Sequence, residues 1–235
     1  MNPKPLSFLE SALSYVFRQP RLLRQALTHK SYVNETKEKD CKDNERFEFL
    51  GDAVLDLVMC QALVEGFPDL PEGDLSKMKA KMVSEEVLAD VARKVDLGAY
   101  LFLGKGEIQS EGQEKPSLLS DALEALIAAI YLDAGADHGL AEARRVILLL
   151  FSEAMQTLQQ GEVLFDYKTA LQEYSQKQFA SLPAYRVMNE TGPDHEKQFK
   201  VGVFVDGRLC GTGFGKSKKV AEQEAAQKAL SAIKS

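Results

Sequence analysis

The stretch Asn44-Glu45-Arg46-Phe47-Glu48-Phe49-Leu50-Gly51-Asp52-Ala53-Val54-Leu55-Asp56 carries four acids at spacings of three, four and four. On a helix, which turns by roughly 100° per residue, Glu45, Glu48, Asp52 and Asp56 form one stripe, and Phe47, Leu50, Val54, Leu57 and Val58 fall on the opposite face. The pattern predicts an amphipathic helix over residues 44–65, with one side in a core and the other bearing a column of like charge. Like charges at i,i+4 destabilise a helix by about 0.2–0.5 kcal/mol per pair. Such a column is easier to hold when a metal ion or a set of Arg and Lys side chains neutralises it.

A second helix, over residues 116–134, is almost wholly apolar from Leu118 to Leu132, with Asp121 and Glu124 as its only charges in that run. Helices apolar on every side are usually buried, and a buried carboxylate is costly unless it is paired or binds a metal. Ala125 and Ala128 share the acidic side, leaving room for another helix to approach. Two facing helices would bring Glu48, Asp52, Asp121 and Glu124 together. An all-oxygen set of this kind suits a hard ion, Mg²⁺ or Mn²⁺, rather than zinc. The plainer alternative is a solvated acid face on the first helix, with Asp121 and Glu124 paired to Arg or Lys; no basic residue lies within a turn of Glu124.

The chain has 235 residues, 45% of them hydrophobic, enough for a sizeable core in one or two domains. Its three cysteines, Cys41, Cys60 and Cys210, are widely spaced and include no CxxC pair. That argues against a disulfide framework and fits a reducing, cytoplasmic setting. The N-terminal residues lack the apolar core of a signal peptide, and no apolar run is long enough to span a membrane. The net charge of −6 disfavours nucleic acid as a partner of the whole chain, but it is unevenly spread. Residues 161–235 hold 11 Lys and Arg against 9 Asp and Glu, whereas residues 1–160 hold 18 against 26. An acidic metal-binding part joined to a mildly basic part is consistent with both signs.

Residues 1–160 read as successive helices: 6–17, 20–28, 44–65, one long or two short over 74–94, 116–134 with Gly135 as a stop, and 139–159. Residues 34–44 and the Gly- and Glu-rich 104–116 read as loops, and no strand pattern is evident. Gln159-Gln160-Gly161 marks a hinge, so the domains are expected at 1–160 and 161–235. After it the pattern changes to a helix over 166–179, strands over 184–190, 199–205 and 208–213, and a helix over 217–233. Asp206-Gly207 supplies a two-residue hairpin turn. Ala221, Ala225, Ala226, Ala229 and Leu230 should face the sheet. The fold class is an all-α domain followed by a small α+β domain of order α-β-β-β-α.

In the second domain Gly215-Lys216-Ser217-Lys218-Lys219 opens the last helix. Ser217 can cap it, and Lys216, Lys218 and Lys219 then flank a helix N-terminus that already favours anions. This makes a phosphate clamp, which would position a duplex without choosing its sequence. Thr169, Gln172 and Glu173 share one helix face, where polar groups could meet 2′-hydroxyls in a shallow RNA minor groove. His195 sits at a turn tip in Thr191-Gly192-Pro193-Asp194-His195-Glu196-Lys197.

Together these motifs resemble ribonuclease III. Residues 44–56 resemble its signature motif, Asp121-Ala122-Leu123-Glu124-Ala125-Leu126 its second acidic motif, and Ala26-Leu27-Thr28-His29-Lys30-Ser31 its early N-terminal segment. Residues 166–233 resemble a double-stranded-RNA-binding domain, with 192–195 and 215–226 as its typical pieces. The resemblance covers nearly the whole chain. It implies a Mg²⁺-dependent endonuclease, with Mn²⁺ able to substitute, that cuts both strands of duplex RNA in rRNA and mRNA processing. It implies 5′-phosphate and 3′-hydroxyl products with short 3′ overhangs. By the same resemblance Glu48, Asp52, Asp121 and Glu124 are metal ligands or their close partners, with Asp52 and Glu124 central to catalysis. Glu45 is a secondary acid of the cleft, and Glu72 matches a further acidic position. A homodimer would place two acid clusters in one groove for two strands. Phe49 lies beside the acid stripe, away from Phe47 and Leu50, and the resemblance implies that it fills a socket of the other subunit. Two rival readings remain: a protein that holds structured RNA without cutting it, and a hydrolase of small phosphorylated molecules.

Overall fold

The structure is a computed structural model that describes residues 4–159, 167–193 and 197–234. It divides into two compact units, Met1–Ala154 and Met155–Ser235. The boundary expected between residues 160 and 161 lies outside the described residues.

The first unit is helical. α1 (Leu6–Leu13) stops short of residue 17 because Ser14 adopts a left-handed φ of 51°, and its N–H and that of Tyr15 donate to the Ser11 and Glu10 carbonyls. α2 (Pro20–Ala26) begins on a proline, whose missing N–H costs nothing in a first turn. α3 (Lys30–Glu35) overlaps the start of the loop expected at 34–44; six residues are too few to show a periodic signature. α4 (Glu45–Gly66) is the acid-striped helix. The 74–94 pattern resolves into α5 (Glu72–Met82) and α6 (Glu85–Lys94), because Ser84 caps the second, its Oγ accepting from the Val87 N–H at 3.5 Å.

The segment expected to be a loop at 104–116 instead contains α7 (Lys105–Gln109) and a 3-10 turn at Gly112–Glu114. Contacts that a linear pattern does not show hold it. The Gly104 N–H donates to Ser31 Oγ at 2.9 Å, the Lys105 N–H to the Glu35 carboxylate at 3.0 Å, and Lys115 Nζ to Glu107 at 2.6 Å. α8 (Pro116–Ala134) ends at Gly135, whose φ is 81°. The single helix expected over 139–159 is broken into α9 (Gly139–Leu150) and α10 (Ser152–Gln159) around the fully buried Phe151. Among the described residues of the first unit, one parallel bridge, Thr28 with Phe102, is the exception to the expected absence of strands.

α8 is the spine of this unit and packs against α2, α4, α6 and α9. Its burial on nearly every side explains its composition. Asp133 is buried there with its oxygens satisfied, accepting from Tyr15 OH at 2.9 Å, the Arg18 N–H at 2.9 Å and the Gln19 N–H at 2.8 Å. α4 buries Gly51, Val54, Leu55, Val58, Met59, Ala62 and Leu63. Leu57, expected on that face, is 54% exposed, because the 3.6-residue repeat aligns Leu55 and Met59, not Leu57, with Val54 and Val58.

The second unit contains α11 (Tyr167–Phe179), β1 (Ala184–Thr191), β2 (Gln198–Val205), β3 (Arg208–Gly215) and α12 (Lys218–Lys234). The sheet is antiparallel in the order β1-β2-β3. Asp206 and Gly207 both take positive φ, 50° and 74°, as the hairpin turn requires. Val201, Val203 and Val205 point into the core, whereas Val187 is 41% exposed where β1 bulges between Val187 and Asn189. The five residues expected to face the sheet from α12 are all buried. The helix lies very close to β3: a methyl group at Gly213 would stand 2.2 Å from the Ala221 carbonyl oxygen.

Candidate metal centre and nucleic-acid interface

The two acidic helices meet because Gly51 of α4 lies against the α8 backbone at Glu124. A methyl group at Gly51 would stand 1.8 Å from the Glu124 carbonyl oxygen. Glycine costs roughly 1 kcal/mol against alanine inside a helix, so Gly51 inside a strongly patterned helix was the available signal for this crossing.

Across that crossing Glu48, Asp121 and Glu124 each present a carboxylate oxygen, and the three oxygens lie within 4.8 Å of one another. All three residues are half-buried. Burial, then the charges of Asp52, Asp121, Glu48 and Asp56, push Glu124 up to about 8. Burial likewise raises Glu48, with Asp121 and Glu45 adding to it, and raises Asp121 against the pull of the Ser120 hydroxyl. Asp52 is exposed and stands outside the triplet, yet it is the leading charge acting on Glu124.

The stripe is neutralised only at its ends. Lys30 Nζ donates to Glu45 at 2.9 Å, and Lys79 Nζ to Asp56 at 2.6 Å. Among the described residues, Glu48, Asp52, Asp121 and Glu124 form no ion pair. The alternative paired Asp121 and Glu124 with Arg or Lys; among the described residues the basic partners go instead to Glu45 and Asp56. An unpaired, half-buried set of carboxylate oxygens fits a hard divalent ion.

Two other acidic and aromatic positions stand apart from the triplet. Glu72 opens α5 and accepts from Ser76 Oγ at 2.7 Å. Phe49 is 82% exposed on α4, with Leu57 and Val64 also exposed on that helix.

In the second unit Ser217 caps α12: its Oγ accepts from the Val220 N–H at 3.3 Å and its carbonyl from the Ala221 N–H at 3.1 Å. Lys216, Lys218 and Lys219 are exposed around this helix start. Lys218 is also 3.5 Å from Glu190 and lies over the Phe199 ring. Thr169, Gln172 and Glu173 are exposed on α11, opposite the buried Leu171 and Ser175. His195 lies outside the described residues.

Comparison with known proteins matches residues 19–153 to a ribonuclease-III-like family model and residues 167–233 to a double-stranded RNA binding motif. The chain is 45% identical to ribonuclease 3 of Pseudothermotoga lettingae over 232 residues, 97% of this chain and 95% of that one. It is 46% identical to ribonuclease 3 of Symbiobacterium thermophilum over 230 residues, 98% of this chain and 95% of that one. The crystal structure of the nuclease domain of ribonuclease III from Campylobacter jejuni matches with a TM-score of 0.57 at 44% identity, covering 64% of this chain and 96% of that domain. A second structure of that domain, described by flexibility in a region involved in dimer formation, matches with a TM-score of 0.55 at 44% identity. It covers 63% of this chain and 99% of that one.

Proposed function

We propose, from the premise that the chain belongs to the ribonuclease III family and is an endoribonuclease carrying a double-stranded RNA binding motif, that it cuts both strands of duplex RNA in a Mg²⁺-dependent reaction, with Mn²⁺ as a substitute, in rRNA and mRNA processing. The products would be 5′-phosphate and 3′-hydroxyl ends. One observation carries the proposal: Glu48, Asp121 and Glu124 bring unpaired carboxylate oxygens within 4.8 Å of one another.

Glu48, Asp121 and Glu124 would hold the ion, with Asp52 beside them. When bound, Mg²⁺ supplies the positive charge that activates water and neutralises the scissile phosphate. The chain's own residues fix the rest. Gly51 sets the distance between the two acid-bearing helices, and Lys30 and Lys79 occupy the outer acids. Glu45 belongs to the rim of the cleft, and Glu72 is a further acid of the same unit. In the second unit Lys216, Lys218 and Lys219 would hold phosphates at the α12 start, and Thr169, Gln172, Glu173 and His195 would meet the minor groove.

Duplex cutting needs two such clusters, so we propose a homodimer in which Phe49 enters the partner. Its 82% exposure is a large apolar cost in a monomer, and the dimer-forming region named for the Campylobacter jejuni domain favours the same assembly. The Phe49→Ala variant should run as a monomer where the parent runs as a dimer; equal masses would exclude Phe49 as an anchor. The decisive experiment is cleavage of a long RNA duplex with and without Mg²⁺, using the parent and Glu124→Gln. The variant should lose turnover by roughly 10³-fold or more. A near-normal rate would remove Glu124 from the reaction, and no Mg²⁺-dependent cutting by the parent would leave only an RNA-holding role.

A further inference from the structure

The acid stripe of α4 is bracketed by two lysines that come from different elements. Lys30 belongs to the first turn of α3 and bonds Glu45 at one end; Lys79 belongs to α5 and bonds Asp56 at the other. The two are held differently, the Lys30 side chain standing 60% exposed on a fastened backbone. The backbone at Lys30 is fastened by the His29 N–H to the Phe102 carbonyl at 3.1 Å, and by the Asn44 N–H to the Thr28 carbonyl at 2.9 Å. The neighbouring Ser31 hydroxyl is held by the Gly104 N–H at 2.9 Å. Lys79 is itself partly buried beside Asp56. The Lys30 charge also reaches past its bonded partner, opposing the rise that burial gives Glu48 and Asp121.

We propose that Lys30 and Lys79 are positioning residues that serve as built-in counter-ions of the acid stripe, neutralising its ends and thereby confining a divalent ion to the central carboxylates. The inference rests on the metal-site reading above and deepens it. A fixed positive charge beside a cation site lowers that site's affinity for the ion, and it also removes the outer acids as competing ligands. Both effects follow from the ammonium charge, so arginine can replace lysine in this role and an uncharged side chain of similar length cannot.

The test is a Mn²⁺ titration of the full-length chain without RNA, read by the electron paramagnetic resonance of free Mn²⁺. Lys30→Met should bind Mn²⁺ roughly five- to tenfold tighter than the parent, as expected for removing one charge near a half-buried site. Lys79→Met should shift in the same direction, and Lys30→Arg should stay within about twofold of the parent. A merely structural lysine would weaken binding on removal, not tighten it. Unchanged or weaker binding by Lys30→Met, in a variant with the parent's circular dichroism, overturns the proposal. If Lys79→Met does not fold, Lys30→Met and Lys30→Arg decide it. A parent that binds no Mn²⁺ removes the metal site itself, a result distinct from a parent that binds and a Lys30 variant that does not differ.

Discussion

The acid cluster and the basic corner at α12 are both charged sites, but they are built by different means. The basic corner is local: Lys216, Ser217, Lys218 and Lys219 are consecutive, and the helix start that concentrates them is capped by one of their own number. The acid cluster is non-local. Glu48 comes from α4 and Asp121 and Glu124 from α8, and their oxygens meet only because Gly51 lets the two backbones touch. The local site tolerates small changes in packing, whereas the non-local one depends on a single interhelical distance.

Gly51→Ala attacks that distance and has the largest expected effect. With the Glu124 carbonyl 1.8 Å from the new methyl, the helices must separate, at a cost of about 3 kcal/mol or more. Urea denaturation should register the loss, and Mn²⁺ binding should disappear with it. A stable variant that still binds Mn²⁺ would show that the crossing is more compliant than its geometry. A methyl in the second unit's analogous close approach, Gly213 against Ala221, should destabilise that unit without touching the acid cluster.

A subtler contrast lies in pH. Glu124 is raised from 4.5 to about 8, chiefly by burial and then by neighbouring acids. A carboxyl whose pKa rises on folding opposes folding once it must ionise. Stability of the metal-free chain should therefore fall as pH climbs from about 4.5 to about 8. Glu48 and Asp121 are displaced in the same direction. Thermal melts across this range should show the decline in the parent and a shallower one in Glu124→Gln. Saturating Mg²⁺ should flatten it, and chelation should restore it. A parent whose melting temperature rises through this window would contradict the assignment.

The smallest effect belongs to the basic corner. Replacing Lys216, Lys218 and Lys219 with alanine should reduce the salt dependence of duplex RNA binding by about two to three in log–log slope, since each phosphate contact releases counterions. Affinity at moderate salt should drop roughly tenfold and equally for unrelated duplex sequences. A loss confined to one sequence would mean that these lysines do more than hold phosphates.

These differences also mark what could be read from the chain in advance. The hairpin at Asp206-Gly207, the alternation of Val201, Val203 and Val205, and the alanine face of α12 each lie within one or two elements, and sequence spacing was enough to place them. The extent of α8 was equally plain, since a helix buried all round announces itself by composition. The short helices α3 and α7 were not, because their backbones are fastened by distant groups such as Glu35, Ser31 and Phe102. Leu57 was misplaced because a face estimated from a few apolar residues drifts over several turns.

The amino-acid order alone determined the helix-rich first part, the α-β-β-β-α second part and the acids available for chemistry, since periodicity and local charge are properties of neighbouring residues. Tertiary structure decided which acids remain unpaired. Lys30 and Lys79, remote from their partners in the chain, claim Glu45 and Asp56, while Gly51 draws Glu124 up to Glu48. The reason is physical: electrostatic interactions depend on distance in space, and the distances that separate a paired carboxylate from a free one here are set by helix packing, which no linear spacing encodes.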